Sequence, residues 1–191
     1  MRALPGLTVF RPADANETTA AWRVAMKLPG PVAFVLTRQA LPVLDPKQFS
    51  VSARVAKGAY VLVEEPDPDL VLAATASEVH LALEAARALA KSGTKARVVS
   101  MPSWELFAKQ PAEYRDSVLP LDIPTLAIEA GATLGWYKWV GRTGDIIGLD
   151  HFGASAPGEV VMAKMGFNVD NVIHRALRLL HRDNASATAV A

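Results

Sequence analysis

The sequence predicts an α/β fold with a mostly parallel sheet, and three observations carry that expectation. Short, uniformly apolar runs such as Val32–Leu36 and Leu70–Ala74 read as strands buried on both faces. Stretches with apolar residues at helical spacing lie between them, so strand and helix alternate along the chain. The first forty residues hold only one β-α-β unit, which does not bury a core alone. The expected organisation is therefore an incomplete β-α-β piece over residues 1–45, a linker over 46–57, a three-layer domain with a mostly parallel mixed sheet over 58–182, and a frayed tail over 183–191.

Leu7–Pro12 opens the chain as a short strand, stopped by a proline that lacks a ladder donor. Asp14 with Glu17 three residues on has the form of a capping box. Ala21, Trp22, Ala25 and Met26 follow at helical spacing, with Trp22 and Met26 expected in a core. Pro29-Gly30 breaks that helix, and the run from Pro31 is a buried strand that completes a right-handed unit. From Leu41 to Lys57 periodicity is lost.

Ala59–Glu64 and Leu70–Ala74, separated by the turn-forming Glu65-Pro-Asp-Pro-Asp69, suggest two strands in a hairpin at an antiparallel edge. Thr75 or Ser77 caps the next helix, whose Val79, Ala82, Leu83, Ala86 and Leu89 face inward while His80, Glu84, Arg87 and Lys91 face water. Gly93 ends it. Strands follow at Ala96–Met101, Thr125–Glu129 and Asp145–Leu149, with a helical stretch from Pro102-Ser103 and an aromatic turn at Gly135–Gly141. Pro157-Gly158 opens a helix to about Met165, and Asn168 caps a final one to about His181.

Composition narrows the function. Of 191 residues 51% are hydrophobic, which supplies ample core. The 20 basic and 19 acidic residues make no field suited to nucleic acid, and no apolar run approaches a membrane span. The absence of cysteine removes disulfides, thiol catalysis and cysteine metal sites, and a cytoplasmic location is expected. Residues 1–57 carry eight Lys or Arg against three Asp or Glu, and residues 58–191 carry twelve against sixteen. The basic first segment suits either an anionic ligand or the acidic second segment.

Arg38 is the first candidate for a functional residue. It stands just past the strand from Pro31, and ligands of open α/β sheets collect outside the carboxyl ends of parallel strands. A guanidinium there either grips a phosphate or carboxylate bidentately, or reaches solvent or a neighbouring carboxylate, and position alone leaves both open. Gly148–Gly158 is a second candidate, an anion-binding loop or a structural turn, but it matches neither a P-loop nor G-x-G-x-x-G. Asp150, His151 and Ser155 sit too close in sequence for a catalytic triad. His80, His151, His174 and His181 show no metal-ligand spacing.

A series of segments gives the chain a family resemblance: Arg11–Glu17, Leu36–Gln39, Gly58–Leu62, Ala74–Val79, Val98–Ser103, Tyr114–Pro120, Glu129–Gly131 and Phe152–Gly158. In that order and combination the chain resembles transketolase, over nearly its whole length. Ala76 departs from the family, which usually has glycine before Ser77. The resemblance implies that residues 1 to about 45 end a pyrimidine-binding domain, that residues from about 57 to 182 are the C-terminal domain, and that Arg38 binds the sugar phosphate. It implies no catalytic, cofactor-binding or metal-binding residue in this chain. The thiamine diphosphate site with its magnesium or calcium, the cofactor-activating glutamate and the contacts to sugar hydroxyls match sequence upstream of Met1.

The function so implied is transfer of a two-carbon ketol unit from a ketose phosphate to an aldose phosphate by the complete enzyme, expected as a homodimer. This chain alone is expected to be inactive without the missing N-terminal portion, with neither nucleic acid nor membrane as partner. The competing readings are a non-catalytic regulatory or assembly module, or part of another thiamine enzyme. Leu36–Gln39 and Phe152–Gly158 favour transketolase over deoxyxylulose phosphate synthase, and separate it poorly from dihydroxyacetone synthase.

Overall fold

The computed structural model describes residues 1–49 and 54–188, with side chains through His181. The middle of the expected linker and residues 189–191 lie outside the described residues. Two sheets are present. The smaller pairs β1 (Thr8–Phe10) with β2 (Val32–Phe34) in parallel, joined through α1 (Ala15–Ala25). The larger comprises β3 (Tyr60–Val63), β4 (Leu70–Ala74), β5 (Ala96–Ser100), β6 (Thr125–Ile128) and β7 (Asp145–Ile147).

Their spatial order is β3-β5-β4-β6-β7, with only β3 antiparallel. The antiparallel edge was expected but the hairpin is not present: β3 pairs with β5 rather than β4. The segment Glu65–Asp69 turns the chain away from β3, and β4 instead takes β5 beside it through the crossover α2 (Glu78–Lys91). A parallel β-α-β crossover favours neighbouring strands, and here β5 takes the place beside β4 and leaves β3 to pair on its far side.

Alternation along the strands builds the three layers. Leu70, Leu72 and Ala74 face α2 and the long C-terminal helix α7 (Val169–Thr188), together with Val98, Leu126 and Ile128. Val71, Ala73, Val99 and Ala127 face the opposite layer of α3 (Trp104–Ala108), α4 (Ala112–Val118) and α5 (Tyr137–Val140). The short α6 (Gly158–Lys164) precedes α7, and Asn168 Oδ1 accepts Asn171 N–H at 2.9 Å at the start of α7. That helix runs on past the expected end at His181, because no glycine or proline stops it. Among the described residues no helix is long and apolar enough to cross a membrane.

The N-terminal unit does not stand alone. The outer edge of β1 is tied to the larger domain: Val9 N–H donates to the Glu105 carboxylate at 3.1 Å, Arg11 N–H to the Pro102 carbonyl at 2.8 Å, and Ala76 N–H to the Arg11 carbonyl at 3.0 Å. Val9 and Phe10 are thereby buried. The other edge of the small sheet, along β2, has no strand beside it among the described residues.

Trp22 and Met26 depart from their expected place in a core: they are 52% and 79% exposed. A helix face is covered only where a sheet continues beneath it, and two strands cover little more than Glu17, Ala20 and Ala21. Trp22 still stacks on Phe34 with ring centroids 4.4 Å apart, and Phe34 stacks on Phe10. His80 also differs from expectation: it is half-buried, with Nε2 at 3.0 Å from the Ala13 carbonyl.

Glu17 is the second tie. The capping box forms, with Glu17 N–H on Asp14 Oδ1 at 2.7 Å and Ala13 N–H on Glu17 Oε2 at 2.6 Å. The carboxylate is fully buried and also accepts from Tyr60 O–H at 2.5 Å and from Ser100 Oγ, on β3 and β5. Burial drives its pKa up, against the pull of those donors. Asp14 in turn holds Leu44 N–H at 2.9 Å, so the segment leading into the linker is pinned at the start of α1.

Two outcomes follow from these ties. Ala76 sits at φ +53, where a side chain is strained by roughly 1–2 kcal/mol, at the very residue that donates to Arg11. Ala76→Gly relieves that strain at the loss of one buried methyl, and is expected to raise stability by up to about 1 kcal/mol in chemical denaturation; a lower stability would show that the methyl outweighs the strain. For Glu17, a folded-state pKa above the unfolded 4.5 means that its stability contribution is full below pH 4.5 and is lost as pH rises. Denaturation of wild type and Glu17→Gln from pH 4 to 8 should show this loss in the wild type alone; parallel curves would refute it.

Candidate functional site

Arg38 lies on the segment that leaves β2, four residues past Phe34, and its side chain is exposed. Among the described residues it makes no salt bridge. Gln39 follows it, with Oε1 close to Gly158, where an added Cβ would lie 3.9 Å away. The carboxyl end of β2 and the beginning of α6 therefore share one exposed surface.

The Gly148–Gly158 segment is open to water from Asp150 onward, and Phe152 is almost wholly exposed. Asp150 is spent on Thr133, accepting its N–H at 2.8 Å and its hydroxyl at 2.7 Å, which holds its pKa below the usual carboxylate range. His151 Nδ1 contacts the carbonyl of Phe152. Asp150 and His151 thus have separate structural partners, and no triad is assembled.

A second constellation forms where the two units meet, and sequence reading did not foresee it. The chain passes from β5 on one side of β4 to β6 on the other, so a crevice opens outside the carboxyl ends of β4 and β6. Arg11 enters that crevice. Its Nη1 is paired with Glu129 Oε1, and its Nη2 lies 3.7 Å from Glu78 Oε2. Glu129, buried one residue past β6, also accepts Arg2 Nη1 on both oxygens at 2.6 and 2.7 Å and the Trp136 indole N–H at 2.5 Å. Glu78 is buried as well, which pushes its pKa up although Ser77 and the Ala130 N–H donate to it.

Beside this cluster lies a cavity of about 630 Å³, between the N-terminal segment and the layer of α3 and α5. Arg2, Arg11, Trp104, Glu129 and Trp139 line it. The Arg2 guanidinium stacks over Trp104, 3.7 Å from the ring centroid, and burial pulls its pKa below the usual range against the attraction of Glu129. Gly135, at φ +92, brings its loop so close that a Cβ would lie 2.8 Å from the Trp104 ring. The signals available in sequence were Arg11 at a strand end and Glu129 at another, but nothing local links residues 118 positions apart.

Comparison with known proteins follows this division. Residues 1–43 match the model of the transketolase pyrimidine-binding domain, and residues 58–168 match that of the transketolase-like C-terminal domain. The transketolase of Geobacillus stearothermophilus is 52% identical over 184 residues, and that of Bacillus subtilis 48% over 186. In each case the match covers about 95% of this chain and 28% of the relative, so the chain spans little more than a quarter of the curated relatives' length. Among solved structures, the Pichia stipitis transketolase in complex with sedoheptulose 7-phosphate superposes with a TM-score of 0.90 at 38% identity, covering 96% of this chain and 26% of that one. A split-gene transketolase described as an inactive β4 tetramer superposes at 0.79 and 25% identity, covering 95% and 60%. On a family match that takes in more than half of its residues, together with that fold, the chain belongs to the transketolase family.

Proposed function

We propose that this chain serves as the C-terminal portion of a transketolase that moves a two-carbon ketol unit from a ketose phosphate to an aldose phosphate, with Arg38 gripping the sugar phosphate. The observation that carries the reading is the condition of Arg38: exposed past the end of a parallel strand, with no carboxylate partner among the described residues. Arg11, the other strand-end arginine of the same small sheet, is instead consumed by Glu129 and Glu78. A planar guanidinium left available in that position suits the bidentate geometry of a phosphate. The sedoheptulose 7-phosphate bound to the Pichia stipitis relative supports the substrate class.

Thiamine diphosphate with magnesium or calcium, when bound in the complete enzyme, supplies the nucleophilic carbon that carries the two-carbon unit. Among the described residues no three His, Asp or Glu side chains come together as a candidate metal site. In this reading the cofactor is held by the portion of the enzyme outside this chain, most simply in a homodimer. This chain's own work is then threefold: Arg38 binds and orients phosphate, the larger domain buries the outer edge of β1, and the open edge of β2 receives the remainder of its sheet.

Calorimetric titration of the isolated chain with thiamine diphosphate and magnesium should give no saturable heat, and micromolar binding would overturn the division of labour. In the complete enzyme Arg38→Ala removes a charge-assisted contact worth roughly 1.5–3 kcal/mol, so use of ribose 5-phosphate should weaken about ten- to a hundredfold. The loss should fall mainly on KM, because phosphate is remote from the reacting carbonyl, and glycolaldehyde should be used as before. Arg38→Lys should recover only part of it. Equal losses on both substrates would mean that Arg38 supports the fold instead.

A further inference from the structure

We infer that the cavity between the N-terminal segment and α3 and α5 is a binding site for a small organic anion with a flat apolar body, an aryl carboxylate in its simplest form. Its position is the first support. Arg11, Val35 and Glu129 in its wall each stand one residue past the end of a parallel strand, β1, β2 and β6. Ligands of α/β sheets gather outside those ends, at the point where strand order reverses. A volume of about 630 Å³ falls within the roughly 300–1,000 Å³ of small-molecule sites.

The chemistry of the wall selects the ligand. Among the described residues, the buried side-chain polar atoms without a hydrogen-bond partner are Arg2 Nε and Nη2, Arg11 Nε, and the indole N–H groups of Trp104 and Trp139. All five are donors, and all belong to residues of this one cavity. Buried donors left unpaired are costly, and a ligand that brings acceptor oxygens relieves that cost. The Trp104 indole is more than nine-tenths buried. Arg2, Arg11 and Lys138 outnumber Glu105 and Glu129 among the charged lining residues, which leaves the cavity with one excess positive charge. The rest of the wall, including Val35, Leu134 and the Trp139 ring, is apolar and suits a flat hydrocarbon surface. The inference goes beyond the sugar-phosphate reading, since Arg38 does not line this cavity.

The test uses the 191-residue chain labelled with 5-fluorotryptophan, which has four tryptophans, Trp22, Trp104, Trp136 and Trp139. The probes are benzoate, its neutral analogue benzyl alcohol, and acetate. Benzoate should shift the Trp104 and Trp139 fluorine signals saturably at millimolar concentration, as befits so small a probe, and leave Trp22 in place. Benzyl alcohol and acetate should each bind at least about threefold more weakly. Arg2→Ala would release Glu129 and endanger the fold, so the variants are at exposed lining positions: Lys138→Ala and Leu134→Glu should each weaken benzoate about threefold or more. Absence of a saturable shift in a chain whose buried Trp136 signal reports native structure would overturn the proposal. Equal binding of benzyl alcohol, or indifference to both variants, would do the same.

Discussion

The Glu129 carboxylate is the point on which the arrangement of this chain depends. Two guanidinium groups from the N-terminal segment and the Trp136 indole just before α5 converge on it, and it stands just past the end of β6, beside the central strand β4. Charges so deeply placed are not an economical source of stability, because desolvation consumes much of what pairing returns. Their value lies in what they forbid. Removing one partner from a buried pair leaves an uncompensated charge at a cost of about 3–5 kcal/mol, whereas sliding an apolar contact costs far less. Glu129 therefore fixes where the small sheet sits against the large one, and Glu17 fixes the same seam from the other end through Tyr60 and Ser100.

That rigidity bears on the surface carrying Arg38. The phosphate grip proposed for Arg38 needs a guanidinium held in a defined place, and β2 has a strand partner on one side alone among the described residues. Its partner β1 is in turn bonded to Glu105, Pro102 and Ala76 of the larger domain. To that surface the larger domain contributes position. Its own crevice is entered by Arg11 from the neighbouring unit, which forms part of the wall of the adjoining cavity.

Much of the fold was legible in the sequence, because its elements are marked by local signals. Apolar runs marked β4 and β6, Asp14 and Asn168 announced helix starts, and Gly93 announced a stop. What failed depended on distant partners. The Glu65–Asp69 turn looks like a hairpin until the crossover through α2 claims the adjacent place for β5. Trp22 and Met26 have the spacing of a buried face, yet the sheet that would bury them is two strands wide here. Arg38 could be singled out because strand ends are readable and a family pattern surrounds it. The cluster of Arg2, Arg11 and Glu129 could not, because no periodicity or spacing records an ion pair made across most of the chain.

The sequence distance of those pairs also sets a timetable. Arg11 and Arg2 lie 118 and 127 positions before the carboxylate that neutralises them. At a synthesis rate of roughly 5–20 residues per second, the first segment spends on the order of ten seconds outside the ribosome before Glu129 exists. Pro102, Glu105 and Ala76, which cover the outer edge of β1, are likewise made after it. During that interval the outer edge of β1, flanked by two cations, lacks the groups that cover it in the folded chain. Its basic character then acts as a gatekeeper, since like charges on nascent copies repel and an edge strand so flanked resists pairing with its neighbours.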